Sequence, residues 1–369
     1  MFGRVNNIAE AVEDRLGRSG SALIFALLFM MMAAILVRPA IHTQALGNIY
    51  AQMASDPLSS SGKNVLGFRV LTPAISWALH LRGQLIIVTN LIFAYLMLAA
   101  MYLYFRNRSL PGGDALFGVA VMAFSLPTLY TLKDGGYTDA ATYFLIFLMW
   151  WFRKHRAVFY LLFLLALLNR ESVIFLVPWF VLVHYQDTRR FRKWLPDTLI
   201  GYSCAIGLYL LFRHFMAERV AVAYTAEYYL EPLLDDPFHW IKHAYPFQVL
   251  GLFTVFKLMW IFPVLAAVHM WQERRRGLVL SLVVLMLCVS AQLVVAFDSS
   301  RMLTMGFLVM VISLVYLFRT GAFEFRRWAF PVLFLNLLIP QLYTASHAVE
   351  MWRSLPETIV RMVFYGQPW

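Results

Sequence analysis

Apolar residues occur along this chain in long runs that are separated by short polar and charged stretches. Most of these runs are about 17 to 25 residues long, the length that an α-helix needs to cross a bilayer. The pattern predicts an all-α polytopic membrane protein in which residues 1–369 form a single transmembrane domain. Apart from a central hairpin, the predicted crossings are 21–37, 84–105, 115–132, 140–152, 198–214, 247–271, 278–297, 302–318 and 329–345.

One apolar run, 157–185, does not fit a single crossing. As a straight helix it would be roughly 44 Å long, whereas the hydrocarbon core is about 30 Å thick and two full crossings need about 40 residues. Basic residues, which favour the cytoplasmic side, flank both of its ends. They are Arg153, Lys154 and Arg156 before the run, and Arg189, Arg190, Arg192 and Lys193 after it. The run therefore predicts a hairpin that enters and returns on one side, with its tip at Asn169-Arg170-Glu171-Ser172.

Two long polar stretches predict large loops on the outer side of the membrane, each with an interfacial helix. The first is 38–83, in which a mixed segment beginning at Phe68 predicts a helix at the interface; the second is 215–246, which is rich in acidic and aromatic residues. Residues 1–20 predict a short amphipathic helix on the cytoplasmic surface. Counting each hairpin leg as a crossing gives about 11 transmembrane segments, with a cytoplasmic N-terminus and a C-terminus outside.

The composition supports a multi-pass membrane protein, which we expect in the plasma membrane. The chain is 61% hydrophobic and 14% charged, whereas soluble domains average about 25% charged residues. The net charge of +11 does not indicate nucleic-acid binding, because the basic residues cluster at the ends of apolar runs, where they orient helices and contact lipid head groups. Cys204 and Cys288 both lie inside apolar runs, which predicts two buried thiols and no structural disulfide.

Charged residues from separated segments are predicted to lie together on the outer side. They are Arg69, Asp134, Asp139, Arg170, Glu171, Asp298 and Arg301. Adjacent residues on a helix point about 100° apart, so Arg170 and Glu171 do not satisfy each other. Each needs another partner, for which Asp139, Asp298 and Arg301 are the candidates. We therefore expect the hairpin tip to face Asp139 and Asp298 across a cavity.

Each of these residues also has a simpler structural interpretation. Asp134 and Asp139 are typical of turns and helix caps. Asp298 and Arg301 have the spacing of a local pair at a helix start, and Arg69 has the position of a side chain that extends from an interfacial helix towards water. The convergence of several segments is what favours a functional site.

A cluster of arginines and carboxylates at a membrane surface suits an anionic substrate. Arginine binds phosphate through two parallel hydrogen bonds, and a carboxylate can remove a proton from a hydroxyl. The predicted catalytic carboxylates are therefore Asp134, Asp139, Glu171 and Asp298. The predicted substrate-binding residues are Arg69, Tyr137, Asn169, Arg170 and Arg301.

No cofactor is predicted from the sequence. His239 and His243 have a spacing of four residues that could hold a divalent metal, but this spacing alone is more typical of an interfacial helix. The predicted partners are membrane lipids, with no nucleic acid.

Several short motifs occur in an order that points to one family. They are Phe68-Arg69-Val70-Leu71-Thr72-Pro73 after a large first outer loop, the Asp-bearing turn 133–139, Leu168-Asn169-Arg170-Glu171-Ser172, and Asp298-Ser299-Ser300-Arg301. This order resembles polytopic bacterial envelope proteins related to the GT-C glycosyltransferases. The resemblance implies that a sugar is transferred from a polyprenyl-phosphate carrier to an envelope acceptor on the outer face of the bacterial inner membrane. It also implies a carboxylate base in the first outer loop.

The chain departs from the family pattern at that base. Between Arg38 and Lys63 the only acid is Asp56, and Gln44 and Asn48 stand nearer to the end of the first helix. Three interpretations follow: Asp56 is the base, an acid from another loop replaces it, or the protein keeps the scaffold without the activity.

Two other functions remain open on the sequence. One is a transporter or flippase of a lipid-linked anionic solute, although such folds commonly contain internal repeats and none is detected here. The other is a non-catalytic subunit of a membrane protein complex.

Overall fold

A computed structural model describes residues 2–58, 65–188, 191–217, 235–236, 239, 242, 247–294, 298–345 and 348–365. These residues form an all-α bundle with one small two-stranded sheet, so the predicted all-α architecture is confirmed. The helices of the described chain are α1 (Phe2–Leu36), α2 (Gly47–Ser55), α3 (Leu71–Ala78), α4 (Ile86–Asn107), α5 (Gly112–Ala123), α6 (Leu126–Lys133), α7 (Asp139–Trp151), α8 (Arg156–Asn169), α9 (Val177–Thr188), α10 (Phe191–Ala217), α11 (Phe247–Phe256), α12 (Ile261–Gln272), α13 (Arg276–Ala291), α14 (Ser299–Thr304), α15 (Leu308–Thr320), α16 (Phe325–Leu338) and α17 (Leu355–Tyr365).

Several helical segments are long and apolar enough to cross a membrane, so the protein is multi-pass. Within the described residues there are six: Phe2–Leu36, Gly83–Asn107, Leu195–Ala217, Phe247–Gln272, Arg276–Val294 and Ser299–Thr320. Helices α5 and α6 make a seventh if the pair, bent by 49°, is taken as one span. The predicted count of about 11 is not confirmed, because α7, α16 and the hairpin legs α8 and α9 are too short to cross alone.

The predicted surface helix 1–20 is part of α1. Residues before and after Gly17 form two helical pieces, because Gly17 has a φ of 68°, in the left-handed region that glycine adopts readily. Ala9 is fully buried against Gly112, and the Phe2 ring lies 4.5 Å from the Phe330 ring. The first piece therefore packs on protein along one side, while Ile8, which is 61% exposed, lies on the outward side.

The central run forms a hairpin at the expected place. Its legs α8 and α9 are joined by a 3-10 turn, Glu171–Leu176, and Phe159 of one leg packs on Phe180 of the other with 5.0 Å between ring centroids. Of the basic residues predicted after the hairpin, Arg189 and Arg190 lie outside the described residues. The antiparallel legs place the Asn169-Arg170-Glu171-Ser172 tip at one end of the bundle.

The first long loop, 38–83, contains two helices. The predicted interfacial helix corresponds to α3, whose Thr72 and Ser76 are buried whereas Trp77 on its other side is 45% exposed. Helix α2 was not predicted. Most of the second loop, 215–246, lies outside the described residues.

The predicted last crossing, 329–345, is wrong at its C-terminal end. Helix α16 ends at Leu338 because the following Ile339 precedes Pro340, and a residue before proline avoids the helical conformation. Residues Leu342–Ala345 then form strand β1, which pairs antiparallel with β2, Ala348–Met351, with Leu342 opposite Met351. The sheet brings the C-terminal segment onto the end of the bundle that carries the hairpin tip.

The prediction of two buried thiols is correct for only one cysteine. Cys288 is buried, whereas Cys204 of α10 is exposed, and neither forms a disulfide. An apolar run predicts that a residue lies in a helix, but it does not predict which side of that helix packs on protein.

Candidate functional site

Six ionisable side chains from four segments meet at the end of the bundle that carries the hairpin tip. We call them the ion-pair network: Arg69, Asp139, Arg170, Glu171, Asp298 and Arg301. The network contains three arginines and three carboxylates. Its formal charges therefore balance without a ligand.

The Arg69–Glu171 pair closes one side of the network. Arg69 Nε donates to Glu171 Oε2 over 2.9 Å and Nη2 to Oε1 over 2.5 Å, which is the two-bond geometry of an arginine with a carboxylate. A third donor, Nη1, reaches the Tyr50 hydroxyl of α2 over 3.1 Å. Glu171 has 30% of its side chain exposed and Arg69 14%, so both can be reached from outside.

Arg170 points away from Glu171 and into the protein, where it pairs with Asp139 at the start of α7. Its side chain is only 2% exposed, and that of Asp139 only 4%. The other carboxylate oxygen of Asp139 lies 3.6 Å from Nε of Arg301. Asp139 thus links two arginines. The buried Arg170 holds Asp139 in place, whereas the sequence predicts that Arg170 contacts substrate.

Asp298 has two roles at the start of α14. Its side chain caps the helix by accepting from the Arg301 backbone N–H over 3.3 Å, and Oδ2 lies 3.4 Å from Nη1 of the same arginine. Oδ2 also accepts a 2.5 Å hydrogen bond from the Tyr343 hydroxyl of β1. The local pair suggested by the spacing is therefore present and is also part of the larger network.

The neighbouring Ser300 fastens strand β1 to the bundle. Its hydroxyl accepts from the Thr344 backbone N–H over 2.8 Å and lies 2.7 Å from the Thr344 hydroxyl. It also lies 2.8 Å from the Thr254 hydroxyl of α11. The Asp298-Ser299-Ser300-Arg301 motif therefore positions β1 beside the ion pairs.

Asn169 is a structural centre of the site. Its side-chain oxygen accepts from the Thr72 N–H over 3.3 Å and from the Thr72 hydroxyl over 2.6 Å. Its side-chain nitrogen donates to the Thr138 carbonyl over 2.8 Å and to the Thr142 hydroxyl over 2.7 Å. An amide can make two bonds through each end, so its hydrogen-bonding capacity is filled. Fully buried, Asn169 ties α3, α7 and α8 together, and the predicted substrate contact has no free donor or acceptor.

Asp134 and Tyr137 lie in the turn between α6 and α7. Burial raises the pKa of Asp134 to about 6, although the positive charges of Arg301 and Lys133 act to lower it. The Tyr137 ring lies under the Arg301 guanidinium, with 4.9 Å between Cζ and the ring centroid. A partly exposed carboxylate with a pKa near neutrality has the property required of a general base.

A stack of aromatic rings borders the network at Arg301. Tyr343 stacks on Tyr130 with 5.4 Å between centroids and on Trp352 with 5.2 Å, at interplanar angles of 26° and 25°. The Tyr130 hydroxyl lies 3.5 Å from Nη1 of Arg301. Sequence reasoning missed this stack because it assigned Tyr343 to a crossing.

The two glycines of the same turn permit a close approach of backbones. A Cβ on Gly136 would lie 3.0 Å from Cα of Gly47 in α2, and a Cβ on Gly135 would lie 2.8 Å from a methyl of Ile87. Asn90 fixes the turn by donating to the Gly135 carbonyl over 2.7 Å. The sequence indicates a turn at 133–139, but not the close contact with α2 that its glycines permit.

Asp56, the acid of the first long loop, is exposed at the C-terminal end of α2. Tyr50 of the same helix contacts Arg69, so α2 itself borders the network, with Asp56 about 9 Å further along the helix axis.

No metal centre is found among the described residues. Within that part of the chain, no group of three or more His, Cys, Asp or Glu side chains could hold a metal ion. His243, one of the two histidines noted in the sequence, lies outside it.

Comparison with protein-family models, curated proteins and solved structures finds no match to this chain.

Proposed function

We propose that this protein is a membrane glycosyltransferase related to the GT-C enzymes, which transfers a sugar from a polyprenyl-phosphate carrier to a cell-envelope acceptor. One observation carries the proposal: three kinds of group lie close together at Arg301. They are its guanidinium, which can bind phosphate, the carboxylates of Asp298 and Asp134, and a stack of aromatic rings. Aromatic faces pack on sugar rings, guanidinium groups bind phosphates, and carboxylates activate hydroxyls.

The partly exposed residues are the ones that would meet substrate. Arg301 and Arg69, with 10% and 14% of their side chains exposed, would bind the carrier phosphate. Asp134 or Asp298 would take the proton of the acceptor hydroxyl. These acids would replace the family's base in the first loop. Arg170, Asp139 and Asn169 would position them.

The proposal includes an orientation. The ion-pair network would face the outer side of the bacterial inner membrane, with the N-terminus in the cytoplasm and the C-terminus outside. The number of transmembrane segments would be about 11 if the hairpin legs and the short helices α7 and α16 are counted. Clusters such as Arg153-Lys154 and Arg274-Arg275-Arg276 at the opposite turns support it, since short cytoplasmic loops are enriched in Lys and Arg.

The test is sugar transfer by the full chain in lipid vesicles. Synthetic polyprenyl-phosphate sugars are added with an envelope extract as acceptor, and released polyprenyl phosphate is measured. Replacing the base should lower the rate by about 100-fold or more, in either Asp134→Asn or Asp298→Asn. Glu324→Gln is the matched control, because the Glu324 side chain is 75% exposed and lies outside the network. Unchanged transfer in both Asp134→Asn and Asp298→Asn would contradict the proposed roles.

The balanced charges of the network favour one alternative, a non-catalytic subunit of a membrane complex. Each of its three arginines already faces a carboxylate, and the Arg170–Asp139 pair is almost fully buried. If the protein is such a subunit, the wild-type chain releases no polyprenyl phosphate in the vesicle assay and co-purifies with a larger assembly. The vesicle assay and a measurement of the size of the purified particle therefore distinguish the subunit from the transferase.

A further inference from the structure

A lysine that is not part of the ion-pair network is buried inside one of the apolar spans. Lys257 begins a 3-10 turn, Lys257–Trp260, that interrupts the span Phe247–Gln272 between α11 and α12. It is 5% exposed, and its φ of 49° is in the left-handed region that side chains disfavour. An ionisable residue within a span is by default a candidate for function.

The ammonium group of Lys257 is only partly satisfied by the described chain. Nζ donates to the Ile339 carbonyl over 2.8 Å, and an ammonium has three donors. Within the described ranges Lys257 forms no salt bridge. Because an unpaired buried cation is strongly unfavourable, the position calls for an anion.

A neighbouring amide has unused hydrogen-bonding capacity. Asn336 is fully buried, and neither nitrogen nor oxygen of its side-chain amide has a hydrogen-bond partner among the residues that the structure describes. It lies on the buried side of α16, the helix that packs against the Lys257–Trp260 turn. Such unsatisfied groups are rare in folded proteins, and an amide three residues before Ile339, whose carbonyl accepts from Lys257, is the candidate for a second donor.

The site has apolar surface on one side and the network on the other. Leu258, Phe334 and Leu338, on the turn and on α16, are 40%, 61% and 65% exposed, as expected for side chains that face lipid tails. One helical turn before Lys257, the Thr254 hydroxyl contacts Ser300, the neighbour of Arg301. A phosphate at Lys257 would therefore keep its hydrocarbon chain in the membrane while lying near the network.

We propose that Lys257 and Asn336 form a second anion site, which binds the phosphate of a lipid that enters from the side of the bilayer. That the lipid is the polyprenyl carrier rests on the proposed function; the recognition of phosphate does not.

The test measures binding of farnesyl phosphate, inorganic phosphate and farnesol to the purified full chain, by tryptophan fluorescence and by the thermal unfolding midpoint. Farnesyl phosphate should bind saturably, and Lys257→Met should weaken it at least tenfold. Lys242→Met is the matched control, because Lys242 is 64% exposed, and should bind as wild type. Equal affinity of Lys257→Met and wild type would overturn the proposal.

Two further arms separate the alternatives. Asn336→Leu should also weaken binding, and it keeps the test valid if Lys257→Met does not fold, since it removes an unpartnered amide without leaving another group unpaired. Farnesyl phosphate should bind more tightly than either inorganic phosphate or farnesol. If inorganic phosphate or farnesol binds as tightly as farnesyl phosphate, the assignment to a lipid phosphate is overturned.

This inference and the transferase proposal can fail separately. If Lys257→Met weakens farnesyl phosphate binding but the wild-type chain transfers no sugar, only the transferase proposal is contradicted. If the wild-type chain transfers sugar but Lys257→Met binds farnesyl phosphate as tightly as wild type, only the second site is contradicted.

Discussion

Arg170 and Asp139 form an ion pair that is almost fully buried, although Arg170 follows the end of α8, Asp139 begins α7, and the two lie 31 positions apart in the chain. Asp139 also faces Arg301, so the pair connects the hairpin tip to α14. A buried pair of this kind contributes little net stability compared with apolar residues, but it is costly to break. Its value to the protein lies in fixing the position of the Asp139 carboxylate between two arginines.

Loss of one partner should therefore destabilise the protein more than loss of both. Arg170→Met should lower the free energy of unfolding by about 3 to 5 kcal/mol, because it leaves Asp139 with one distant arginine. The double variant Arg170→Met with Asp139→Leu should recover a large part of this loss, which unfolding in mixed micelles can measure. Arg327→Met, at an exposed pair with Glu324, should cause no measurable change. Additive effects of the two network substitutions would show that the pair is not coupled.

Asn169→Leu should be severely destabilising. It leaves the buried Thr72 N–H, the Thr138 carbonyl and the Thr142 hydroxyl without their amide partner, at about 1 to 3 kcal/mol for each unsatisfied group. Asn90→Leu is the matched control, because Asn90 is equally buried but its side chain makes a single hydrogen bond within the described part of the chain, to the Gly135 carbonyl. The thermal unfolding midpoint should fall several times further in Asn169→Leu. Equal losses would contradict the central role of Asn169.

The sequence was sufficient to predict that Arg170 needs an acidic partner and that Asp139 is a candidate, because an unpaired buried guanidinium is unfavourable. It was not sufficient to predict that Glu171 pairs with Arg69. That choice depends on the extended backbone of Arg170, with φ −161° and ψ 114°, which turns adjacent side chains to different sides. Such a backbone conformation has no signature in residue spacing.

The aromatic stack shows a second limit of the sequence pattern. Tyr343 lies in an apolar run that is long enough for a crossing, and Pro340 was the only local sign that the helix stops before it. Its stacking on Tyr130 and Trp352 depends on long-range packing. Hydropathy predicts where helices occur, whereas the candidate site is built where they end.

Gly136→Ala should displace the turn that carries Asp134 and Tyr137. The added methyl would lie 3.0 Å from Cα of Gly47 and 3.0 Å from the Thr43 side chain, and a backbone atom cannot move aside as a flexible side chain does. Overpacking of this kind costs about 1 to 3 kcal/mol. Gly207→Ala in α10 is the control, because nothing lies within 4 Å of its added methyl, and alanine favours a helix over glycine. Unfolding measurements that show equal stability for the two variants would contradict the close backbone contact.

Asp134 should give the protein a pH dependence near pH 6. Burial raises the pKa of Asp134 from 3.8 to about 6, against the lowering effect of Arg301 and Lys133. The folded protein therefore binds this proton more tightly than the unfolded chain does. Its contribution to the free energy of unfolding should fall as the pH rises from about 4 to about 6 and stay constant above that.

The same carboxylate must be deprotonated to act as a base, so sugar transfer should rise with pH through about 6 while stability falls. Asp134→Asn should abolish both slopes, as followed by transfer rate and unfolding midpoint between about pH 4 and 8. Glu324→Gln, at an exposed carboxylate, should leave both as in wild type. If the transfer rate of Asp134→Asn still rises through pH 6, Asp134 is not the base.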